Sequence, residues 1–127
     1  MLEQSCVVWG SAITESETKS LERIQKCALH IIYKDKYLSY SNALKLSRLP
    51  TLSERRATLS LKFALKCSKN VKTQHMFPLN LKQGEQSIRN PERFKVPFAY
   101  HQRLQHSAIP TMARQLNEYY QSKSKRQ

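Results

Sequence analysis

Aspartate is nearly absent from this sequence of 127 residues. Asp35 is the only aspartate, and it stands between two lysines. Metal-assisted phosphoryl chemistry, including template-directed polymerisation, needs two or more carboxylates that converge on divalent ions. The remaining acidic residues are scattered glutamates, so no paired-carboxylate site is visible. We therefore assign no catalytic residue and expect that this chain is not an enzyme.

Glycine and cysteine are also scarce, with 2 and 3 residues respectively. Because Gly10 and Gly84 stand alone, a glycine-rich phosphate-binding loop is excluded. Cys6, Cys27 and Cys67 are widely spaced and odd in number, which predicts reduced thiols of an intracellular protein rather than a disulfide framework. No Cys-x-x-Cys pair occurs, and the histidines lack metal-ligand spacing. We expect no metal ion and no cofactor.

Long hydrophobic runs are missing as well. The apolar run at the start of the chain is far shorter than the ~20 residues that a membrane helix needs, and Glu3 with no basic flank does not fit a secretion signal. The sequence therefore predicts a protein that is neither exported nor membrane-spanning. The apolar share of 39% is below the ~45–50% of most globular domains, so we expect an undersized core.

Positive charge is abundant. Lysine and arginine number 22 against 9 acidic residues, which gives a net charge of +13 and a pI near 10.0. Such an excess favours polyanions as partners. The sequence therefore predicts binding to nucleic acid, RNA or DNA, through phosphates.

A first long helix is predicted by Thr14 and Glu17, which have the spacing of a capping box. This helix is expected to run to about Tyr33. At ~100° per residue it is strongly amphipathic. Its apolar face consists of Leu21, Ile24, Ala28, Ile31 and Ile32. Its opposite, basic face consists of Lys19, Arg23, Lys26, His30 and Lys34.

The basic face of this first helix has two interpretations. Glu15 with Lys19, and Glu22 with Lys26, are expected i,i+4 ion pairs, as on a solvated helix face. Lys19, Arg23 and Lys26 are equally candidates for contacts with phosphates, and the sequence alone does not separate the two interpretations.

Two further helices follow. Ser41 predicts the start of a short helix through Leu46. Thr51 and Glu54 then repeat the capping-box spacing and predict a second long helix to about Lys69. Two sectors of this second helix are apolar and consist of Leu52, Leu59, Phe63 and Cys67, and of Ala57, Leu61, Ala64 and Leu65.

The remaining sector of the second long helix is basic. Arg55, Lys62, Lys66 and Lys69 have no acidic residue four positions earlier, so no local ion pair compensates them. Contact with phosphates is the better interpretation of this sector. Contacts of that kind carry no sequence information.

The second half of the chain is less regular. Residues 70–106 read as an irregular linker that is anchored by the apolar cluster at 76–79, with an edge strand or extended clamp at 94–98. A C-terminal helix is expected over residues 107–122, opening near Pro110, and a disordered basic tail over 123–127. The apolar face of that helix consists of Met112, Leu116, Tyr119 and Tyr120.

These elements define an all-α fold class: a small helical domain of two long amphipathic helices, a short connecting helix and a C-terminal helix, with a long irregular segment. Residues 1–69 form its first helical segment. Leu2, Val7, Val8 and Trp9 make an apolar patch with few local partners. We expect either a preceding polypeptide or self-association to cover that patch.

Several segments resemble, in the same order, the region that follows the palm in reverse transcriptases of non-LTR, jockey-like retrotransposons. Together they cover nearly the whole chain. The segments are Leu2-Glu3-Gln4-Ser5-Cys6-Val7-Val8-Trp9, Leu21-Glu22-Arg23-Ile24-Gln25-Lys26, Ser39-Tyr40-Ser41-Asn42-Ala43-Leu44 with residues 49–56, Met76-Phe77-Pro78-Leu79-Asn80, Arg89-Asn90-Pro91-Glu92-Arg93-Phe94, and Ser107-Ala108-Ile109-Pro110 with Ala113-Arg114-Gln115-Leu116-Asn117.

The resemblance implies a fragment of an RNA-directed DNA polymerase that begins late in the thumb and continues to the C-terminus, with residues 1–69 as its thumb-like segment. The family's catalytic motif, an aromatic-x-Asp-Asp turn in the palm, has no counterpart here, so no catalytic residue is carried over. The expected role is accessory: a basic helical surface that helps to hold template RNA, cDNA or target DNA. The upstream part of the polymerase is then the expected protein partner.

Two alternatives remain open at this point. The predicted helices at 41–46 and 52–69 could act as a helix-turn-helix in an independent DNA-binding module, although the link between them supplies no glycine turn. The chain could also be a nonfunctional remnant of a decayed mobile element.

Overall fold

The computed structural model describes residues 3–80 and 93–125, and these residues form an all-α fold with no β-strand. Two 3₁₀ turns, Lys34–Lys36 and Gln74–Met76, accompany the helices. The helices are α1 (Cys6–Trp9), α2 (Glu15–Tyr33), α3 (Tyr40–Ser47), α4 (Leu52–Lys69), α5 (Gln102–Gln105) and α6 (Ala108–Ser124).

Both predicted capping boxes are confirmed, and α2 and α4 end where the sequence predicts. The Thr14 hydroxyl accepts from the Glu17 backbone N–H at 3.3 Å, and the Glu17 carboxylate accepts from the Thr14 backbone N–H at 2.7 Å. That backbone hydrogen bond is the main cause that lowers the pKa of Glu17. Thr51 and Glu54 make the same reciprocal pair at 3.2 Å. Local chemistry alone sets these two helix starts.

The short helix α3 begins earlier than predicted. Its N-cap is Ser39, whose hydroxyl accepts from the Asn42 backbone N–H at 3.2 Å, while Ser41 lies inside the helix. The cap moves because Ser39 has the extended backbone that an N-cap needs. The helix ends at Arg48, whose left-handed backbone (φ 54°) turns the chain towards α4.

The core lies where α4 packs against α6, and α1 contacts both helices. Val7 of α1 adds to this core from one side, and Tyr120 from α6 adds to it from another. The buried core residues are Ala64, Cys67, Phe77, Phe94, Met112, Ala113 and Leu116. The predicted anchor at 76–79 is confirmed through Phe77, and the predicted apolar face of the last helix is confirmed through Met112 and Leu116. Tyr119, which was assigned to the same face, is exposed instead.

Of the edge strand or extended clamp predicted at 94–98, the described residues show an extended segment held at Phe94 and no strand, and Phe98 is 90% exposed. Phe94 forms an isolated antiparallel bridge with Leu79. The side chain of buried Asn117 holds both backbone groups of Phe94: its oxygen accepts from the Phe94 N–H at 2.8 Å, and its amide donates to the Phe94 carbonyl at 3.0 Å. The residue pair therefore fixes the extended segment to α6.

Two predictions for the second half of the chain were wrong. The linker 70–106 is not wholly irregular, because α5 forms within it. The C-terminal helix continues through Ser124, so Lys123 is helical rather than part of a disordered tail. Residues 126–127, and the part of the predicted loop at 81–92, lie outside the described residues.

Helix α2 does not bury its most apolar face. Leu29 and Gln25 are buried instead, and the Gln25 amide donates to the Pro50 carbonyl at 3.4 Å. Ile24 and Ile31 are exposed, the latter to 69%. The helix rests on the junction between α3 and α4, which covers one edge of its apolar arc and leaves the rest open. Exposed residues on or beside that arc are Ile24, Ala28, Ile31, Ile32 and Cys27.

The N-terminal apolar segment has more partners than predicted. Cys6 is buried, Val7 packs against the core, and the indole N–H of Trp9 donates to the Gln4 carbonyl at 2.8 Å. Burial is the main cause that raises the pKa of the Cys6 thiol. Val8 alone among residues 6–9 stays largely exposed, at 71%, and Leu2 lies outside the described residues. The main open apolar surface therefore lies on α2 and not on this segment.

In the part of the chain that the structure covers, none of the helices combines the length and apolarity required to cross a membrane.

Candidate nucleic-acid interface

The C-terminal half of α4 presents three cations on one side. Lys62, Lys66 and Lys69 are all exposed, and none forms an ion pair within residues 3–80 and 93–125. They lie on the sector opposite Ala64 and Cys67, which face the core. At a rise of 1.5 Å per residue they span roughly 10 Å along the helix axis. We call these three lysines the α4 basic surface.

Arg55 does not belong to this surface, and its predicted lack of an acidic partner was wrong. Its guanidinium donates to the Glu3 carboxylate at 2.7 Å, in a partly buried ion pair. The partner is far away in sequence, so the i,i+4 rule could not reveal it. A paired and half-buried arginine is poorly placed to neutralise a phosphate.

The predicted cations of α2 likewise include one that is paired with an acidic residue and two that are not. Lys19 pairs with Glu15 at 2.8 Å, as predicted. Arg23 and Lys26 are exposed and have no ion pair within the described part of the chain. Lys26 is without its predicted partner because Glu22 has other hydrogen-bond donors.

Those donors join three helices. The Glu22 carboxylate accepts from the Tyr40 hydroxyl at 2.5 Å and from the Ser53 backbone N–H at 2.9 Å. Burial, followed by this hydrogen bond, raises the pKa of Tyr40 well above its usual range. The predicted pair of Glu22 with Lys26 is therefore replaced by a contact between α2, α3 and the N-terminus of α4.

The packing of α2 on α4 does not bring Arg23 and Lys26 close to the α4 basic surface. Helix α2 meets α4 near Ser53, and Lys62 and Lys69 follow about 14 and 24 Å further along the α4 axis at 1.5 Å per residue. The α4 basic surface is thus a separate candidate site, and Arg23 with Lys26 forms a second, smaller one.

Sequence reasoning missed an exposed aromatic residue at the edge of the α4 basic surface. Phe63, which periodicity assigns to an apolar face with Leu59, is 43% exposed and is three positions from Lys66, so the two are neighbours on the helix surface. Leu59 is partly exposed too. An aromatic ring among cations can stack on a nucleic-acid base while the cations contact phosphates. The sequence signal for this arrangement is the three-residue spacing between Phe63 and Lys66.

The burial of Arg56 was also not predicted from the sequence. It is one of the few buried charged residues of the described chain, with 6% exposure. Its guanidinium lies 6.0 Å from the Trp9 ring centre. At ~100° per residue, Arg56 falls on the apolar face with Phe63 and Cys67, whereas Arg55 falls with the basic sector. That placement of a charged residue on an apolar face was the available sequence signal.

No group of three His, Cys, Asp or Glu side chains in residues 3–80 and 93–125 could hold a metal ion. Comparisons with models of known families, with curated proteins and with solved structures found no match for this chain.

Proposed function

We propose that this chain binds nucleic acid through phosphates as a non-catalytic C-terminal part of a retrotransposon-type reverse transcriptase. The α4 basic surface is the contact, and Phe63 stacks beside it. The polymerase chemistry belongs to the palm, which this chain does not include, and the setting is intracellular. The chain's role is to help hold template RNA, cDNA or target DNA.

One observation carries this proposal: Lys62, Lys66 and Lys69 are exposed on one side of a helix whose other side is fixed in the core. Exposed lysines with acidic partners would lose those partners on binding a phosphate. These three have none in the described residues, so a phosphate can replace solvent counterions directly. The net charge of +13 supports binding by raising the local concentration of polyanions.

The ordered resemblance of the sequence segments supports the placement within a reverse transcriptase. The open apolar face of α2 also supports it. Ile24 and Ile31 on an exposed helix face are typical of a surface that another polypeptide covers. In the proposed assembly the upstream part of the polymerase lies on this face, and the isolated chain associates with itself there.

The helix-turn-helix alternative has less support. A recognition helix contacts bases through its N-terminal residues. At the N-terminus of α4, Leu52 is buried, the Ser53 backbone N–H donates to Glu22, and Arg55 is paired with Glu3. Leu52, Arg55 and the Ser53 N–H are therefore occupied within the chain. The α4 basic surface is at the other end of the helix, where lysines make backbone contacts without reading bases.

The proposal is tested by the salt dependence of binding. A fluorescent single-stranded RNA and a DNA duplex of the same length are titrated with the full chain over a range of salt concentrations. The triple variant Lys62→Gln, Lys66→Gln, Lys69→Gln should flatten the slope of log K against log salt by up to about three phosphate equivalents.

A matched control removes the same charge elsewhere. Lys34, Lys36 and Lys45 are exposed on the first 3₁₀ turn and on α3, and their triple Gln variant should change the slope much less. Equal slopes for both triples would mean that binding follows net charge and not the α4 basic surface. Absence of salt-dependent binding by the unaltered chain would favour the nonfunctional remnant.

A further inference from the structure

Arg56 lies in an unusual position for a charged residue. It sits on the inner side of α4, its exposure is 6%, and its Nη1 atom is buried without a hydrogen-bond partner. Arginine stays protonated in proteins. A buried charge without a partner is strongly unfavourable, and buried charges are normally paired. An anion would therefore supply the partner that the Arg56 guanidinium lacks.

The surroundings of Arg56 form a small polar cavity of about 190 Å³ between α1, α4 and α6. Two hydroxyls that line the cavity, those of Ser11 and Thr111, are buried without hydrogen-bond partners, like the Nη1 atom of Arg56. A third lining group, the Gln115 side chain, accepts from the Ser60 hydroxyl at 3.0 Å through its oxygen. Its amide N–H groups thus remain available as donors.

The charges near the cavity favour an anion. The Glu3 carboxylate acts on the neighbouring Cys6 thiol, as Arg56 does. One of its oxygens accepts from Arg55 at 2.7 Å, while its Oε1 atom is buried without a hydrogen-bond partner. No hydrogen bond or ion pair joins Glu3 to Arg56 among the described contacts. Arg56 therefore has no ion-pair partner among the described residues, and Arg55 with Arg56 outnumbers the single carboxylate of Glu3.

We propose that this cavity is a binding site for a phosphate group, held by Arg56 together with the hydroxyls of Ser11 and Thr111. A guanidinium forms paired hydrogen bonds with phosphate oxygens, and hydroxyls from two other segments supply further donors. At roughly 30 Å³ per water, 190 Å³ holds about six waters, which leaves room for a tetrahedral oxyanion. The site is distinct from the α4 basic surface, because Arg56 lies about 80–140° around the helix from the three lysines at ~100° per residue.

The test titrates inorganic phosphate onto the full chain at constant ionic strength, with sodium chloride as the balancing salt, and follows the melting temperature and the phosphorus NMR signal. Binding should be saturable, with one phosphate per chain. At a tenfold excess over Kd, ligand linkage predicts a rise in Tm of about 5 °C for a chain of this size. A rise no larger than that given by chloride would overturn the proposal.

Three variants assign the site. Arg56→Met should abolish the phosphate-dependent rise, and without phosphate its Tm should not fall, since an unpaired buried charge is replaced by an apolar side chain. Thr111→Val, which keeps the shape of the side chain, should weaken phosphate binding by roughly tenfold through the loss of a donor. Arg103→Met, an exposed control on α5, should leave binding unchanged.

Other results for these variants contradict the assignment. A large fall in Tm for Arg56→Met without phosphate would show that the guanidinium already has partners inside the chain. Unchanged phosphate affinity in Thr111→Val would show that phosphate does not bind in this cavity. A short oligonucleotide with a 5′-phosphate, compared with its 5′-hydroxyl form, identifies the source: competition by the phosphorylated form alone assigns a nucleic-acid end, and no competition assigns the free ion.

Discussion

Asn117 provides the sharpest test of how the second half of the chain is held. This residue is 5% exposed on α6, and its amide bonds both the N–H and the carbonyl of Phe94. Phe94 is itself part of the core. Asn117→Ala removes both hydrogen bonds at once and leaves the two backbone groups of Phe94 buried without partners.

The magnitude follows from that geometry. A buried donor or acceptor that loses its partner costs about 1–3 kcal/mol, and two such groups are affected here. We expect Asn117→Ala to lower the free energy of unfolding by about 3 kcal/mol, a large part of the ~5–15 kcal/mol of an ordinary domain. The better helix propensity of alanine offsets only a fraction of this loss.

Urea denaturation followed by circular dichroism measures the effect, because a loss of stability lowers the midpoint while the slope m stays constant. The control is Asn42→Ala on α3, whose side chain makes no described hydrogen bond and which should change stability by less than about 0.5 kcal/mol. A loss below about 1 kcal/mol for Asn117→Ala would refute the reasoning, since the Phe94 groups would then have found other partners.

Two further predictions follow from α2. The folded pKa of Tyr40 lies above its ordinary value of 10.0, so its bond to Glu22 stabilises the fold fully below about pH 10 and is lost as pH rises towards the folded pKa. The difference in unfolding free energy between the unaltered chain and Tyr40→Phe should therefore be constant below pH 10 and shrink above it. A difference that stays constant above pH 10 would contradict the bond. Ala28→Glu places a charge on the open face of α2 and should abolish the self-association that sedimentation velocity detects at high protein concentration. The control Ala57→Glu, on an exposed position of α4, should leave self-association unchanged. Equal effects of both variants would contradict a role for this face.

The parts of the fold that were predictable from sequence are those set by local chemistry. The capping boxes at Thr14 and Thr51 need only residues three positions apart, and both start the helices that they predict. The α3 cap failed by two residues because Ser39 and Ser41 are equivalent in sequence, and only the extended backbone at Ser39 distinguishes them.

The faces that helices bury were less predictable. Periodicity identified an apolar arc on α2, but Leu29 at its edge is buried while Ile31 is open, because the contact with the α3–α4 junction determines which side is covered. The partner of Arg55 was hidden for a related reason, since Glu3 reaches it only through the packing of the N-terminal segment on α4. Long-range contacts of this kind leave no local pattern.

The most direct test of the proposed function is lysine reactivity. The full chain is acetylated briefly with and without bound single-stranded RNA, and the extent of modification at each lysine is measured by mass spectrometry. The account predicts severalfold protection of Lys62, Lys66 and Lys69 on RNA binding, with Lys34 and Lys36 unchanged. Equal protection of all five lysines, or protection that spares α4, would contradict the assignment of the α4 basic surface as the nucleic-acid contact.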